Sequence, residues 1–273
     1  MTTRAGFIGV GSQGGPMARR IVEEGFPLTL WARRPESLEP YTDTDAVVAS
    51  TPAELGAASD VVGICVVADA DVEDVVLRDD GVLVGMASGG IIAIHSTIHP
   101  DTCRRLAERA SVHGVAIVDA PVSGGGHMAA ARKLLVMAGG AEDDVEKCRP
   151  VFETYGDPVL YLGPLGSGEM AKVLNNFVFT AQVAAALETY AFAEALGMDV
   201  GAVAQVLTNG SGGSRAATIL GASGVDTTGL RATAGALLRK DCDIMLDLAR
   251  AQGVAEPPML VELANATLSD LGA

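Results

Sequence analysis

The sequence predicts an α/β protein: a doubly wound parallel sheet in its N-terminal part, then a long connecting helix, then a small all-α domain. Three observations carry this expectation. Short apolar runs alternate with helix-patterned segments over residues 5–162, the signature of parallel strands joined by helical crossovers. A glycine turn, Gly9-Val10-Gly11-Ser12-Gln13-Gly14, stands between the first such run and the first helix. From residue 169 to residue 196 there is neither Gly nor Pro, and Ala, Val, Leu and Phe dominate. That stretch reads as one helix, apolar on nearly every face and therefore buried.

Strands are expected at residues 5–10, 28–31, 61–67, 91–95, 115–119, 134–138 and 159–162, each a short apolar run. Helical spacing fills the gaps at 16–24, 52–58, 71–77, 100–109 and 142–152. Ligands of such a sheet bind at the carboxyl ends of its strands. Gly197 should stop the long helix and Asp199 cap the next one, with helical patterns continuing through residues 239–251 to 267. The expected organisation is a Rossmann-type dinucleotide domain over residues 1–163, and the interdomain helix with an all-α substrate and dimerisation domain over 164–273.

The dinucleotide expectation comes from the context of the glycine turn. Gly9 suits the tight turn, Gly11 the close approach of backbone to pyrophosphate, and Gly14 the packing of helix on strand. Ser12 and Gln13 lie in the same turn, and the helix behind them offers N–H groups and a positive dipole end to the phosphates. An ordinary glycine-rich turn is the competing explanation, and the strand before and helix after weigh against it.

Composition narrows the class. With 273 residues, of which 49% are hydrophobic, and a mean hydropathy of +0.32, the chain buries a large core and is not disordered. A net charge of −15 argues against nucleic acid or an anionic membrane as partner. The four cysteines (Cys65, Cys103, Cys148 and Cys242) are scattered, which fits reduced thiols and a cytoplasmic setting. Met1-Thr2-Thr3 leads directly into the first strand, so no signal peptide is expected. Nor does any apolar run approach the roughly 20 residues of a membrane span. No metal site is expected: His95 and His99 are four apart, but Pro100 breaks the helix that would bring them together.

Lys172 is the only basic residue between Arg149 and Arg215. It lies in the first turns of the long apolar helix, among Met170, Ala171, Val173, Leu174 and Phe177. A lysine at a helix end ordinarily snorkels to water, but these neighbours imply burial, which lowers an ammonium pKa toward the range useful for proton transfer. Asn175 and Asn176, at i+3 and i+4, are placed to orient either a substrate oxygen or the ammonium itself. Asp119-Ala120-Pro121-Val122-Ser123-Gly124-Gly125-Gly126 follows a strand. Its successive N–H groups and the Ser123 hydroxyl suit a carboxylate, and a purely structural glycine loop is the alternative. Ser96-Thr97 is placed after another strand, within reach of a cofactor ribose.

These residues together resemble the β-hydroxyacid dehydrogenase family. The resemblance covers essentially the whole chain and rests on residues 6–14, Ser96-Thr97, residues 119–125, residues 166–176 and Lys240-Asp241. It implies reversible hydride transfer between NAD(P) and the alcohol carbon of a small hydroxy acid. Lys172 would be the acid–base residue, Asn176 a substrate anchor, and Ser123 with Gly124 and Gly125 the carboxylate cradle. Thr97 and Lys240 would lie near the nicotinamide end of the cofactor. The chain departs from the family near the cradle, with Met128 and Arg132 where Gly is common, Ile94 where an Asp is common, and His127 as an added ionisable group. Those departures bear on substrate choice. An imine reductase of the same architecture is an alternative, against which Lys172 counts. A catalytically silent cofactor-binding protein is another, and it would need neither Lys172 nor Asn176. 6-Phosphogluconate dehydrogenase shares the N-terminal pattern but has a far larger helical domain.

NADP is expected over NAD. The second strand ends in Ala32-Arg33-Arg34, and no acid occurs between Gly25 and Glu36. An acid there would accept hydrogen bonds from both ribose hydroxyls, whereas Arg33 pairs with a 2′-phosphate. A helix apolar all round is more than a small domain easily covers, so a homodimer or homotetramer is expected.

Overall fold

The computed structural model describes residues 2–273 and divides into two compact units, 1–172 and 173–273. The first unit is built on six parallel strands: β1 (Ala5–Ile8), β2 (Leu28–Trp31), β3 (Val47–Val48), β4 (Val61–Ile64), β5 (Ile91–Ile94) and β6 (Ala116–Asp119), in the order 3-2-1-4-5-6. Alternate residues of one strand enter different cores. Phe7 joins Met17, Leu30 and Phe152 on one face, while Ile8 joins Leu55, Ile64 and Ile94 on the other. Burial on both faces is why β1, β2, β4, β5 and β6 read as unbroken apolar runs, whereas the two-residue edge strand β3 is exposed and is not among the strands expected.

The helices on the two faces are α1 (Gly14–Glu23), α2 (Pro52–Ala57), α3 (Asp69–Leu77), the short α4 (Val82–Gly85) and α5 (Pro100–Ser111). Thr51 caps α2 by accepting from the Glu54 N–H at 3.1 Å, with Pro52 in the first helical turn, where a missing N–H costs nothing.

The last two expected strands do not join that sheet. β8 (Leu134–Ala138) and β9 (Gly156–Tyr161) form a second, three-stranded sheet with β7 (Val122–Ser123). β7 runs antiparallel to β8, and β8 parallel to β9. Pro121 separates β6 from β7, and α6 (Gly126–Ala130) returns the chain toward β8, so the turn after Asp119 starts a new sheet. The two sheets remain tied where Asp119 exchanges backbone hydrogen bonds with Gly139, at 3.0 and 2.7 Å. The crossover from β8 to β9 is α7 (Glu142–Phe152).

α8 (Ser167–Ala195) is one helix of 29 residues, and the division between units falls within it, after Lys172. Gly197 ends it at φ +73°, a conformation that glycine adopts without strain. The second unit continues with α9 (Val200–Asn209), α10 (Arg215–Ala222), α11 (Thr228–Ala251) and α12 (Pro258–Leu271). Asp199 caps α9 by accepting from the Ala202 N–H at 2.6 Å. A Cβ on Gly221 would lie 2.7 Å from the Ala204 Cβ, so the glycine permits close packing of α9 and α10. Tyr190 donates to the Ala217 carbonyl at 2.8 Å.

Two expectations about α8 need correction. By length and composition it is apolar enough to span a membrane, yet 44% of its most apolar stretch is buried within this structure. It is also not covered on every face: Met170 and Leu174, one turn apart, and Phe192 are exposed.

Candidate active site

The glycine turn has the geometry its residue types demand. Gly9 has φ +95°, and a Cβ there would lie 2.1 Å from the Cys65 carbonyl oxygen. A Cβ on Gly14 would lie 2.1 Å from the Gly9 carbonyl oxygen, so any side chain would push α1 off β1. Gly11 differs: a Cβ there would meet nothing within 4 Å. Its missing side chain leaves open space above the turn, as close approach of a ligand requires. α1 begins beside that space with no side-chain cap at Gln13 and no acid in its first turn. Its exposed positive end therefore suits an anion. Ser12 is exposed and Gln13 half-buried.

A cavity of 380 Å³ opens at the carboxyl ends of β1, β2 and β4, lined among others by Gly9, Gly11, Trp31, Arg33, Arg34 and Val66. The Arg33 side chain is 62% exposed; it donates to Asp71 Oδ1 at 3.1 Å and lies 3.7 Å from Asp74 Oδ2. The cavity, the open Gly11 edge and the uncapped helix fit a dinucleotide, with the arginines where β2 ends.

Ser96 is engaged within the protein. It is buried, and its hydroxyl accepts from the Val66 N–H at 2.8 Å. Asp69 adds a second stitch, accepting from the His99 N–H at 2.9 Å and the Thr102 hydroxyl at 2.7 Å. The loops after β4 and β5 are thus locked together, with half-buried Thr97 between the stitches. His95 is buried; one ring nitrogen lies 2.7 Å from the Ala120 carbonyl and the other 3.0 Å from the Tyr155 hydroxyl. Nδ1 must therefore donate and Nε2 accept. Desolvation pushes its pKa down to about 4, partly opposed by the Ala120 bond.

The cradle loop issues from the same sheet edge. Ser123 is half-buried on β7, opposite Leu135. Gly124 and Gly125 have φ +136° and +79°, so their glycines are set by backbone shape as well as by any ligand. Gly126 packs so closely on the glycine turn that a Cβ would lie 2.2 Å from the Ser12 carbonyl oxygen. His127 is exposed, Met128 packs against the core, and Arg132, at φ +61°, pairs with Glu24 at 2.8 Å. Both Met128 and Arg132 thus have structural partners.

Asp119, at the end of β6, is fully buried. Its carboxylate accepts from the Gly166 N–H at 2.7 Å and the Glu169 N–H at 2.8 Å, capping α8 from outside the helix. Burial raises its pKa, and those backbone donors oppose the rise. Lys172 follows one turn later and is half-buried rather than buried, on a stretch of α8 where Met170 and Leu174 are exposed.

In the second unit the Asn176 amide donates to Asp241 Oδ2 at 2.5 Å and accepts from Asn175 at 3.1 Å. Asp241 is buried, and Lys240 Nζ lies 3.3 Å from its other oxygen. Sequence reasoning missed the roles of Asp69, Asp119 and Asp241. Asp119 and Asp241 both stand in segments that carry the family resemblance, but nothing in the sequence reports what their carboxylates hold.

A family model for the NAD binding domain of 6-phosphogluconate dehydrogenase matches residues 4–163. Another, for the NAD-binding domain of NADP-dependent 3-hydroxyisobutyrate dehydrogenase, matches residues 166–271. The fold and glycine turn, with these matches, define an NAD(P)-dependent oxidoreductase. The chain belongs to the β-hydroxyacid dehydrogenase family. It is 34% identical to an NAD-dependent L-serine dehydrogenase of Pseudomonas aeruginosa over 76% of this chain and 70% of that one. A Mycobacterium tuberculosis 3-hydroxyisobutyrate dehydrogenase, solved with L-serine, superposes with a TM-score of 0.85 at 27% identity, covering 100% and 94% of the two chains. A protein named Psf3, solved with NADP+ and 2-OPP, superposes with a TM-score of 0.83 at 26% identity, covering 96% and 92%.

Proposed function

We propose that the protein moves hydride between NADP(H) and the alcohol carbon of a small β-hydroxy acid, with Lys172 as general acid and base. In the reducing direction it acts on the corresponding semialdehyde or keto acid. The observation that carries this is the position of Lys172, one turn into a helix capped by the Asp119 carboxylate, from which the Ser123 cradle also issues.

The turn that Gly9 and Gly14 shape would hold the pyrophosphate against the open edge at Gly11, and Arg33 the 2′-phosphate; when bound, the nicotinamide supplies or takes up the hydride. Ser123 and the backbone N–H groups of Gly124 and Gly125 hold the substrate carboxylate and so orient the reacting carbon. Lys172 takes the hydroxyl proton during oxidation and returns it to the oxygen during reduction. Proton transfer by a positioned group contributes about 10²–10⁴-fold to rate. NADP preference is supported by the two arginines at the end of β2 and the lack of an acid between Gly25 and Glu36. Psf3 was solved with NADP+, whereas the L-serine dehydrogenase relative is named as NAD-dependent, so relatives do not decide the matter.

The test is turnover with NADP(H) against a panel of 3-hydroxyisobutyrate, L-serine, small semialdehydes and cyclic imines, for wild type and Lys172→Ala. The variant is expected to lose kcat by roughly 10²–10⁴-fold while binding NADPH normally by fluorescence titration. Near-normal kcat overturns the acid–base assignment. Turnover of cyclic imines alone would replace the hydroxy-acid reading with imine reduction.

A further inference from the structure

We infer that Asp119 is a positioning residue: a buried carboxylate at the junction of three elements that holds Lys172 in register with the Ser123 cradle. The inference rests on the acid–base reading of Lys172 given above.

Asp119 closes β6, the last strand of the large sheet. Its backbone bonds to Gly139, just beyond β8 of the small sheet, in both directions. Its side chain holds the Gly166 and Glu169 N–H groups at the start of α8. The surroundings are shaped around the carboxylate. A Cβ on Gly139 would lie 2.6 Å from Asp119 Oδ1, and one on Gly168 2.9 Å from Oδ2. Two of the glycines nearby are therefore required for the carboxylate to reach its donors.

Asp119 is fully buried and both carboxylate oxygens are engaged by backbone N–H groups, so it acts through what it anchors. Four residues onward along the chain lies Ser123. Three residues beyond its donor Glu169, about one helical turn, lies Lys172. Both groups proposed to engage the substrate thus branch from this one node, and release of either Asp119 bond lets the start of α8 shift relative to the cradle. Misplacing a reacting group by about 1 Å costs on the order of 10²-fold in rate.

A double-mutant cycle with Asp119→Asn and Lys172→Ala tests this, with kcat and KM measured for NADPH and the most active panel substrate. Asparagine keeps the shape but turns an N–H toward one of the two donors. Asp119→Asn is expected to lower kcat by roughly 10- to 100-fold with NADPH affinity and substrate KM little changed. In the Lys172→Ala background the same substitution should have little further effect, because its target is already gone. Equal fold losses in both backgrounds, or normal kcat in Asp119→Asn, overturn the inference. If Asp119→Asn is insoluble, Asp119→Ser, which keeps one acceptor in less volume, carries the same comparison. Normal kcat in Lys172→Ala sinks both readings, whereas a collapsed Lys172→Ala beside a silent Asp119→Asn sinks this one alone.

Discussion

The Arg33 guanidinium sits beside two carboxylates, Asp71 at 3.1 Å and Asp74 at 3.7 Å. In the proposed NADP complex a 2′-phosphate would have to compete with both carboxylates for the guanidinium, against their repulsion. Arg33→Ala is expected to reduce kcat/KM for NADPH by roughly 10- to 100-fold, the worth of a hydrogen bond to a charged group, with NADH little affected. A wild-type preference for NADH overturns the assignment. His95 supports a prediction about acid. Its pKa is about 4 in the folded protein against 6.5 for an ordinary histidine, chiefly through desolvation. The unfolded chain therefore takes up a proton that the folded one refuses. The stability from a neutral His95 is complete above pH 6.5 and is lost as the pH falls toward 4, by roughly 3 kcal/mol at most. Denaturant unfolding of His95→Gln between pH 7 and pH 4.5 should show a shallower loss than wild type. Parallel curves would exclude His95 as the source.

At the scale of elements, the glycine turn separates binding from folding. Gly11→Val places a side chain in open space, so the melting temperature should stay near wild type while NADPH binding is lost. Gly14→Ala drives a Cβ against the Gly9 carbonyl and should cost about 1–3 kcal/mol of stability, as overpacking does. A Gly11→Val enzyme that binds NADPH normally would contradict the placement of the pyrophosphate. The same contrast shows what the chain made legible. Strands buried on both faces, such as Leu28–Trp31 and Leu134–Ala138, and the helix Glu142–Phe152 match the expected bounds residue for residue, because apolar runs and glycine punctuation are local signals. The second sheet was not legible: β7 is only two residues long, and its pairing to β8 is decided by where the chain turns after Pro121. In the same way Asn176 reads as a substrate anchor, but its hold on Asp241 spans 65 residues and no periodicity reports it. Lys172 was found by its isolation among apolar neighbours, and that same apolar setting overstated its burial.

For the whole molecule, the far end of α8 leaves Phe192 66%, Leu196 62% and Met198 53% exposed. Large apolar side chains grouped at one place on a surface mark an interaction site, and we propose that a second copy of the chain covers them. Light scattering at micromolar concentration should report a homodimer or homotetramer, and Phe192→Glu should shift it toward monomer; a wild-type monomer would refute the proposal. A last consequence follows from the thiols. Cys103 and Cys148 lie buried in the first unit and Cys242 in the second. Burial raises all three pKa values, that of Cys148 to about 12. A thiol so protected reacts with an alkylating reagent only while the structure around it is open. Each unit thus carries its own clock: the labelling rate of Cys103 and Cys148 times the opening of one, that of Cys242 the opening of the other, in the unmodified protein.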